Sequence, residues 1–395
     1  MYIRQVRLCA SPAHIRGRYL QIKKRMTDKE KQFNRTFPNG LFNVNKSNLS
    51  LDEKRIISST VKNKEWLEVT NFIERIDPRF KDVYIDVIDS PEHNAKANWN
   101  GFRTIGITYG MILNLFKASA LLLNSKELFP KIDLDKELYT FDELLPLFNM
   151  SLAEIKMFEE SPKEFQLFFD LSKETPNIKK RIKPLSPERY EIAAAITHIA
   201  LFFIIGHELC HVINHGKKYL ELTKKNQISE YVDTKFFDSK IILDLRSLEL
   251  DADRFGAINS FWGTVVLWQA KGNPLKKYFS GPSYVWMISI LGVFFSFELS
   301  KKKLYPEKYS YHPVPKIRQN YSMNYIYDLL KDEYSSEIFG ENYFVDFASV
   351  IIDKSDSLEL LFNISDSEKE MMKKEFDIIT SNLKQLQKQI YYDKN

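Results

Sequence analysis

The sequence predicts an α+β fold, mostly helical, with a small β-sheet beside one long helix. Three observations lead there. A helix-favouring run with a strong start signal extends from Ser186 to about Asn214. Two short segments, "DVYIDVID" (82–89) and "FRTIGIT" (102–108), read as strands, the first by its apolar–polar alternation. Most of the remaining periodic sequence has helical spacing. The chain has 395 residues, 44% of them hydrophobic and 28% charged, so it can bury a sizeable core and is not disordered.

Taken in order, residues 1–60 are polar, with the basic run "RGRYLQIKKR" (16–25) and the turn signal "FPNG" (37–40). They read as a basic peripheral extension whose charges lie on solvated helix faces. An amphipathic helix, "VKNKEWLEVTNFIERIDP" (61–78), opens the main domain, residues 61–330. The first strand (82–89) follows, then turn residues "SPEHNAKANWNG" (90–101), the second strand (102–108) and a helix at 111–124. Residues 125–185, rich in Leu and Phe, read as a helical insertion that ends in the Pro-punctuated linker "TPNIKKRIKPLSP" (175–187).

Ser186-Pro187-Glu188 joins a capping side chain, a proline at the first helical position and an early acid. The helix it starts would be about 40 Å long. Further helices are expected at 242–270 and, after the "KGNP" and "SGPS" breaks, at 283–299. Residues 331–395 read as a C-terminal helical region. There Met372, Phe376, Ile379, Leu383, Leu386 and Ile390 recur at helical spacing and should pack on the body.

A net charge of +5 with acids and bases interleaved gives no nucleic-acid footprint. Two cysteines, Cys9 and Cys210, cannot build a disulfide framework, which suits a reducing compartment. The first residues hold no apolar core of signal-peptide length. The apolar segments 192–206 and 283–297 fall short of the roughly 20 residues that cross a bilayer. Both read as buried core helices, so the expected location is cytoplasmic with no membrane partner.

The chemistry lies in "HELCH" (207–211). Residues four apart on a helix share a face, so His207 and His211 project two imidazoles one turn apart, as two ligands of a tetrahedral Zn²⁺ require. Glu208 lies on the adjoining flank, where a general base could take a proton from an activated water. The motif is short enough to recur by chance, so context decides. "SLELDADRFGA" (247–257) places Glu249 thirty-eight residues after His211, with Asp253 four residues later on the same helix face. Glu249 could complete a His₂Glu site for one Zn²⁺ ion, and Asp253 could accept a hydrogen bond from the far nitrogen of a ligand histidine. The alternative is a solvated acidic face.

Glu-x-x-Ala-Asp after a helical His-Glu-x-x-His resembles the gluzincin metallopeptidases, in particular the CAAX prenyl endopeptidase and HtpX group. "YHPVPKIRQNY" (311–321) is similar to that group's His-Pro segment, and "NAKANWNGFRTIGITYGMILNLF" to its strand–glycine–helix unit. The soluble Lit-like phage-exclusion peptidases share these elements in the same order, and the resemblance spans roughly residues 80–325.

The resemblance implies a zincin-like core with His207, His211 and Glu249 as zinc ligands, Glu208 as the base and Asp253 behind a ligand. It further implies that His312 stabilises the oxyanion, and that Arg318 binds substrate or anchors His312. The strand at 102–108, carrying Thr104 and Gly106, has a substrate-binding reading as an exposed sheet edge to which a peptide could add; an ordinary structural strand is the alternative. His215 reads as a helix-end residue, Cys210 as a small buried hydrophobe and His198 as a core histidine.

The expected function is hydrolysis of peptide bonds in an intracellular protein or peptide substrate. By resemblance, this would be a bacterial protease acting after phage infection. Two alternatives stay open: a non-catalytic zinc-containing sensor or interaction protein, and a membrane-associated housekeeping protease.

Overall fold

The computed structural model describes residues 26–62, 78–80, 82–99, 101–125, 155–161, 164–170, 179–181, 185–224, 227–229, 237–270, 280–301, 312–331 and 366–392. The basic run 16–25, Cys9, most of the helix expected at 61–78 and residues 332–365 lie outside them. Within them the protein is an α+β structure, mostly helical.

Helix α1 (Asp28–Thr36) starts at a capping box in which the Thr27 hydroxyl accepts from the Glu30 amide and the Glu30 carboxylate accepts from the Thr27 amide. The expected turn after it is closed by the Gly40 amide, which donates to the Phe37 carbonyl at φ +71°. Helix α2 is Leu51–Lys62. Phe33 and Phe37 pack against Ile88, and Ile56 and Ile57 enter the main core. This part of the extension is therefore packed on the body rather than laid over its surface.

Strands β1 (Tyr84–Ile88), β2 (Ala95–Asn98) and β3 (Thr104–Thr108) follow. Helix α3 (Tyr109–Leu122) springs from β3, capped by the Thr108 hydroxyl accepting from the Met111 amide. β2 falls where only turn residues were expected. "AKAN" has little intrinsic strand preference, and its extended form comes from pairing on both sides.

A second correction concerns residues 125–185, expected to be helical. Strands β4 (Ile155–Ser161), β5 (Glu164–Asp170) and β6 (Lys179–Arg181) form an antiparallel three-stranded sheet there. Phe165, Leu167 and Phe169 recur every second residue, the strand period; the abundance of Leu and Phe hid it.

Helix α4 (Pro187–Cys210) begins as the sequence predicts, with the Ser186 hydroxyl accepting from the Arg189 amide and Pro187 in the first turn. A π-helical turn, His211–His215, joins it to α5 (Gly216–Thr223). The remaining elements are β7 (Gln227–Ser229), α6 (Ser239–Ala270), α7 (Ser280–Lys301), α8 (Pro315–Leu330) and α9 (Asp366–Gln387). A second π-helical turn, Lys388–Tyr392, follows α9.

The first sheet runs β1-β3-β2-β7, with β1 parallel and β2 antiparallel to β3. α4 packs along α6, flanked by α3 and α7, while α8 and α9 lie against α6. α7 is apolar around its whole circumference and is correspondingly buried, with Trp286, Met287, Ile288, Leu291 and Phe294 all fully enclosed. The continuous helical run Pro187–Thr223 is long and apolar enough to cross a membrane by length and composition, longer than the segment 192–206 suggested. Of its apolar window, 78% is buried inside the protein.

α4 and α6 approach closely because glycines line their seam. A Cβ at Gly206 would sit 2.7 Å from Asn259 Cβ, and one at Gly256 would sit 2.8 Å from the Phe203 carbonyl oxygen. Replacing a helical glycine with alanine ordinarily stabilises by up to about 1 kcal/mol. Here the obstacle is backbone, which cannot swing aside, so overpacking wins. Gly256→Ala is expected to cost about 1–3 kcal/mol, read as a lowered urea midpoint at unchanged slope. A gain in stability would show that the seam is looser than drawn.

Candidate metal centre

α4 supplies His207, Glu208 and His211, α6 supplies Glu249 and Asp253, and the start of α8 brings His312 and Arg318. The helix spacing works as the sequence implies. His207 Nε2 and His211 Nε2 are 3.0 Å apart. Glu249 Oε2 lies 3.3 Å from His207 Nε2, and its Oε1 lies 3.3 Å from His211 Nε2. Ligands about 2.0–2.1 Å from a tetrahedral ion would be about 3.3 Å from one another. The three side chains, all buried, thus converge as a group that could hold a metal ion.

The charge state favours a cation at that point. Burial disfavours a charge on His207, but hydrogen bonds to Asp253 and Glu249 outweigh it and push its pKa up to about 10. Burial pulls His211 down to about 3. Burial also opposes charge on Glu249, yet His312 and His211 hold its carboxyl well below the usual range. Without metal, His207 carries a proton on each ring nitrogen, Nδ1–H towards Asp253 and Nε2–H towards Glu249 and His211, and the second stands where a metal would bind.

Asp253 stands behind His207 as expected, with Oδ1 3.0 Å from His207 Nδ1. Arg318 turns to Asp253, with Nη2 also 3.8 Å from Glu249 Oε2. Its guanidinium is buried over the rings of Phe294 and Phe297, donating from Nε and Nη2 to the two Asp253 oxygens at 2.8 Å each. This fork holds Asp253 ionised despite its burial. His312 is likewise brought to the cluster, with Nδ1 2.9 Å from Glu249 Oε2. That contact supports a part in positioning Glu249.

The exposed-edge reading of the strand carrying Thr104 and Gly106 is overturned. β3 is an interior strand, paired with β1 and β2, so its backbone groups are already taken. Gly106 is small for packing reasons: a Cβ there would lie 2.4 Å from Ile88 Cδ1. The sheet meets α4 through β2 and β3, and β2 also lies beside the π-helical turn.

Sequence reasoning missed a second buried group: Cys210, His215 and Asp251. His215 is no mere helix end. Its Nδ1 lies 3.1 Å from His211 Nδ1, and its Nε2 lies 2.9 Å from Asp251 Oδ2. The signal available was a third histidine at a spacing of four, and an acid between Glu249 and Asp253. The histidine reads from sequence as a helix end, and the acid carries no sign of its own that it meets the histidine. Cys210 is buried, and burial together with the Asp251 charge pushes its thiol well above the ordinary value, so it stays protonated.

Asp251 gives the centre an acid limit. Burial opposes its charge, but the His215 hydrogen bond and charge and Arg254 bring its pKa down from 3.8 to about 2. A carboxylate depressed in the folded state contributes stability above its unfolded pKa and loses it as pH falls through the folded one. In metal-free protein, Asp251 is expected to account for about 2 kcal/mol lost between roughly pH 4 and 2. Urea titrations of wild type and Asp251→Asn across that window check this. Equal slopes against pH would refute it.

No known protein family, curated protein or solved structure matches the chain.

Proposed function

We propose that the protein is a zinc-dependent endopeptidase of the gluzincin type, with a zincin-like core. The observation that carries this reading is the convergence of three buried donors, two on α4 and one on α6, at 3.0–3.3 Å from one another. A glutamate, Glu208, stands between the two histidines in sequence. His207, His211 and Glu249 would hold the ion. When bound, zinc would polarise the scissile carbonyl and lower the pKa of the attacking water towards 7.

Glu208 takes the proton from that water and passes it to the leaving amine. Asp253 fixes His207, Arg318 fixes Asp253, and His312 steadies Glu249 while supporting the charge that develops on the carbonyl oxygen. The resemblance to Lit-like peptidases extends the reading to an intracellular protease acting in phage exclusion, with a cytoplasmic protein as substrate. It rests on the motifs alone.

One observation favours a second reading. Every member of the cluster is buried, His312 being the most exposed at 6%, and closed sites are the habit of structural zinc. The non-catalytic alternative has no use for Glu208. Incubating the purified protein with a mixed peptide library separates the two. Cleavage that stops on chelation and in Glu208→Gln supports the protease. Metal binding with no cleavage of any peptide or trapped cellular protein favours the structural site.

A further inference from the structure

The two histidine ligands have different supports. At Nδ1, His207 meets a carboxylate directly, whereas His211 reaches one through another imidazole. Asp251 Oδ1 accepts from Gln387 Nε2 at 2.7 Å and pairs with Arg254 Nη2 at 2.8 Å. Its Oδ2 accepts from the Tyr391 hydroxyl at 2.5 Å and lies 2.9 Å from His215 Nε2. Four partners fill the acceptor capacity of a carboxylate. Asp251 is therefore an anchor, and with both oxygens occupied and an arginine at 2.8 Å it is a poor cation ligand.

The hydrogen-bond network assigns the protons. Asp251 accepts His215 Nε2–H, which leaves His215 Nδ1 with a lone pair. That lone pair accepts His211 Nδ1–H, and His211 Nε2 is left bare and turned towards His207 and Glu249. Two of the groups fixing Asp251, Gln387 and Tyr391, come from the end of the chain, about 140 residues away. α9 is seated there by Ile379 and Leu383 against Leu250 and Ile317, and by Leu386 and Ile390 against Leu248. Arg254 lies 5.8 Å from the Tyr391 ring.

We infer that His215 and Asp251, clasped by Gln387 and Tyr391, are positioning residues that set the tautomer and orientation of His211, which makes the C-terminal segment 366–392 part of the metal centre. This rests on reading His207, His211 and Glu249 as the metal ligands. Support groups behind a metal ligand typically change affinity by about 10–100-fold. Displacing this segment, by a partner or a protease, would then loosen the metal without touching a ligand.

Zinc affinity of the full-length protein, measured by competition with a chromophoric chelator, tests this, together with the ligand-field spectrum of the cobalt-loaded form. The pair Tyr391→Phe with Gln387→Ala is expected to weaken zinc about 10–100-fold, keep one ion per chain and shift the cobalt bands. Met371→Ala, at an exposed position of the same helix, is expected to change neither. Should the pair fail to fold with chelator present, Tyr391→Phe, which removes a single hydroxyl, carries the test with a smaller loss. Wild-type affinity and an unchanged cobalt spectrum in these variants would overturn the relay while leaving the metal site standing. Failure of the wild-type protein to bind zinc or cobalt would overturn both.

Discussion

Glu208→Gln is expected to lower peptide hydrolysis by about 10²–10⁴-fold or more while leaving one metal ion per chain. That range is the usual contribution of a positioned general base. The amide has nearly the shape of the carboxylate but cannot accept a proton at neutral pH. Ligation should persist because the converging donors are His207 Nε2, His211 Nε2 and the Glu249 oxygens, none of which the substitution touches. Turnover of a cleaved library peptide and metal content, measured on the same preparation, check both halves. Residual activity within a few-fold of wild type would remove Glu208 from the chemistry, and loss of the metal would make it structural. Because substrate still binds, the same variant should retain intact protein that the wild type cuts.

Arg318→Met should be the most destabilising of the substitutions considered, by about 3–5 kcal/mol. Its two hydrogen bonds are the main counter-charge to Asp253, which is fully buried. Removing one partner of a buried pair strands the other in a low-dielectric interior, and that stranded charge accounts for most of the loss. The sign of the coupling is therefore predictable. Adding Asp253→Asn should recover part of the stability, since an amide needs no counter-ion and its oxygen can still accept from His207. Urea unfolding of metal-free single and double variants measures the coupling. If the double variant is no more stable than Arg318→Met alone, the stranded-charge account fails.

Much of the architecture was legible because it follows local rules. The Ser186 cap, the proline in the first turn and an unbroken helix-favouring run specify α4, and a spacing of four places His207 and His211 on one face whatever surrounds them. The same rule put Glu249 and Asp253 together on α6. Where reading failed, tertiary pairing had overridden local preference. "AKAN" is a strand because β3 and β7 flank it, and β5 was hidden because its Phe and Leu content suggested helix more strongly than its period suggested strand.

The roles at the centre were harder to read than its position. Thr104 and Gly106 lie on a strand whose character was right, but whether a strand is central or at an edge depends on partners that leave no mark on its own residues. Arg318 follows His312 by six, close enough to suggest they act together, yet it turns to Asp253 because the interior offers that buried charge. His215 reads from sequence as a helix end because the acid that meets it, Asp251, lies on another helix.

Order along the chain thus specified which side chains share a helix face, because backbone geometry repeats every few residues. Which faces meet is a different matter. The convergence of α4 with α6 depends on glycine seams, that of Arg318 with Asp253 on charge in a dry interior, and that of Tyr391 with Asp251 on the docking of α9. These are long-range balances of packing against desolvation, and only the folded chain brings their partners within reach.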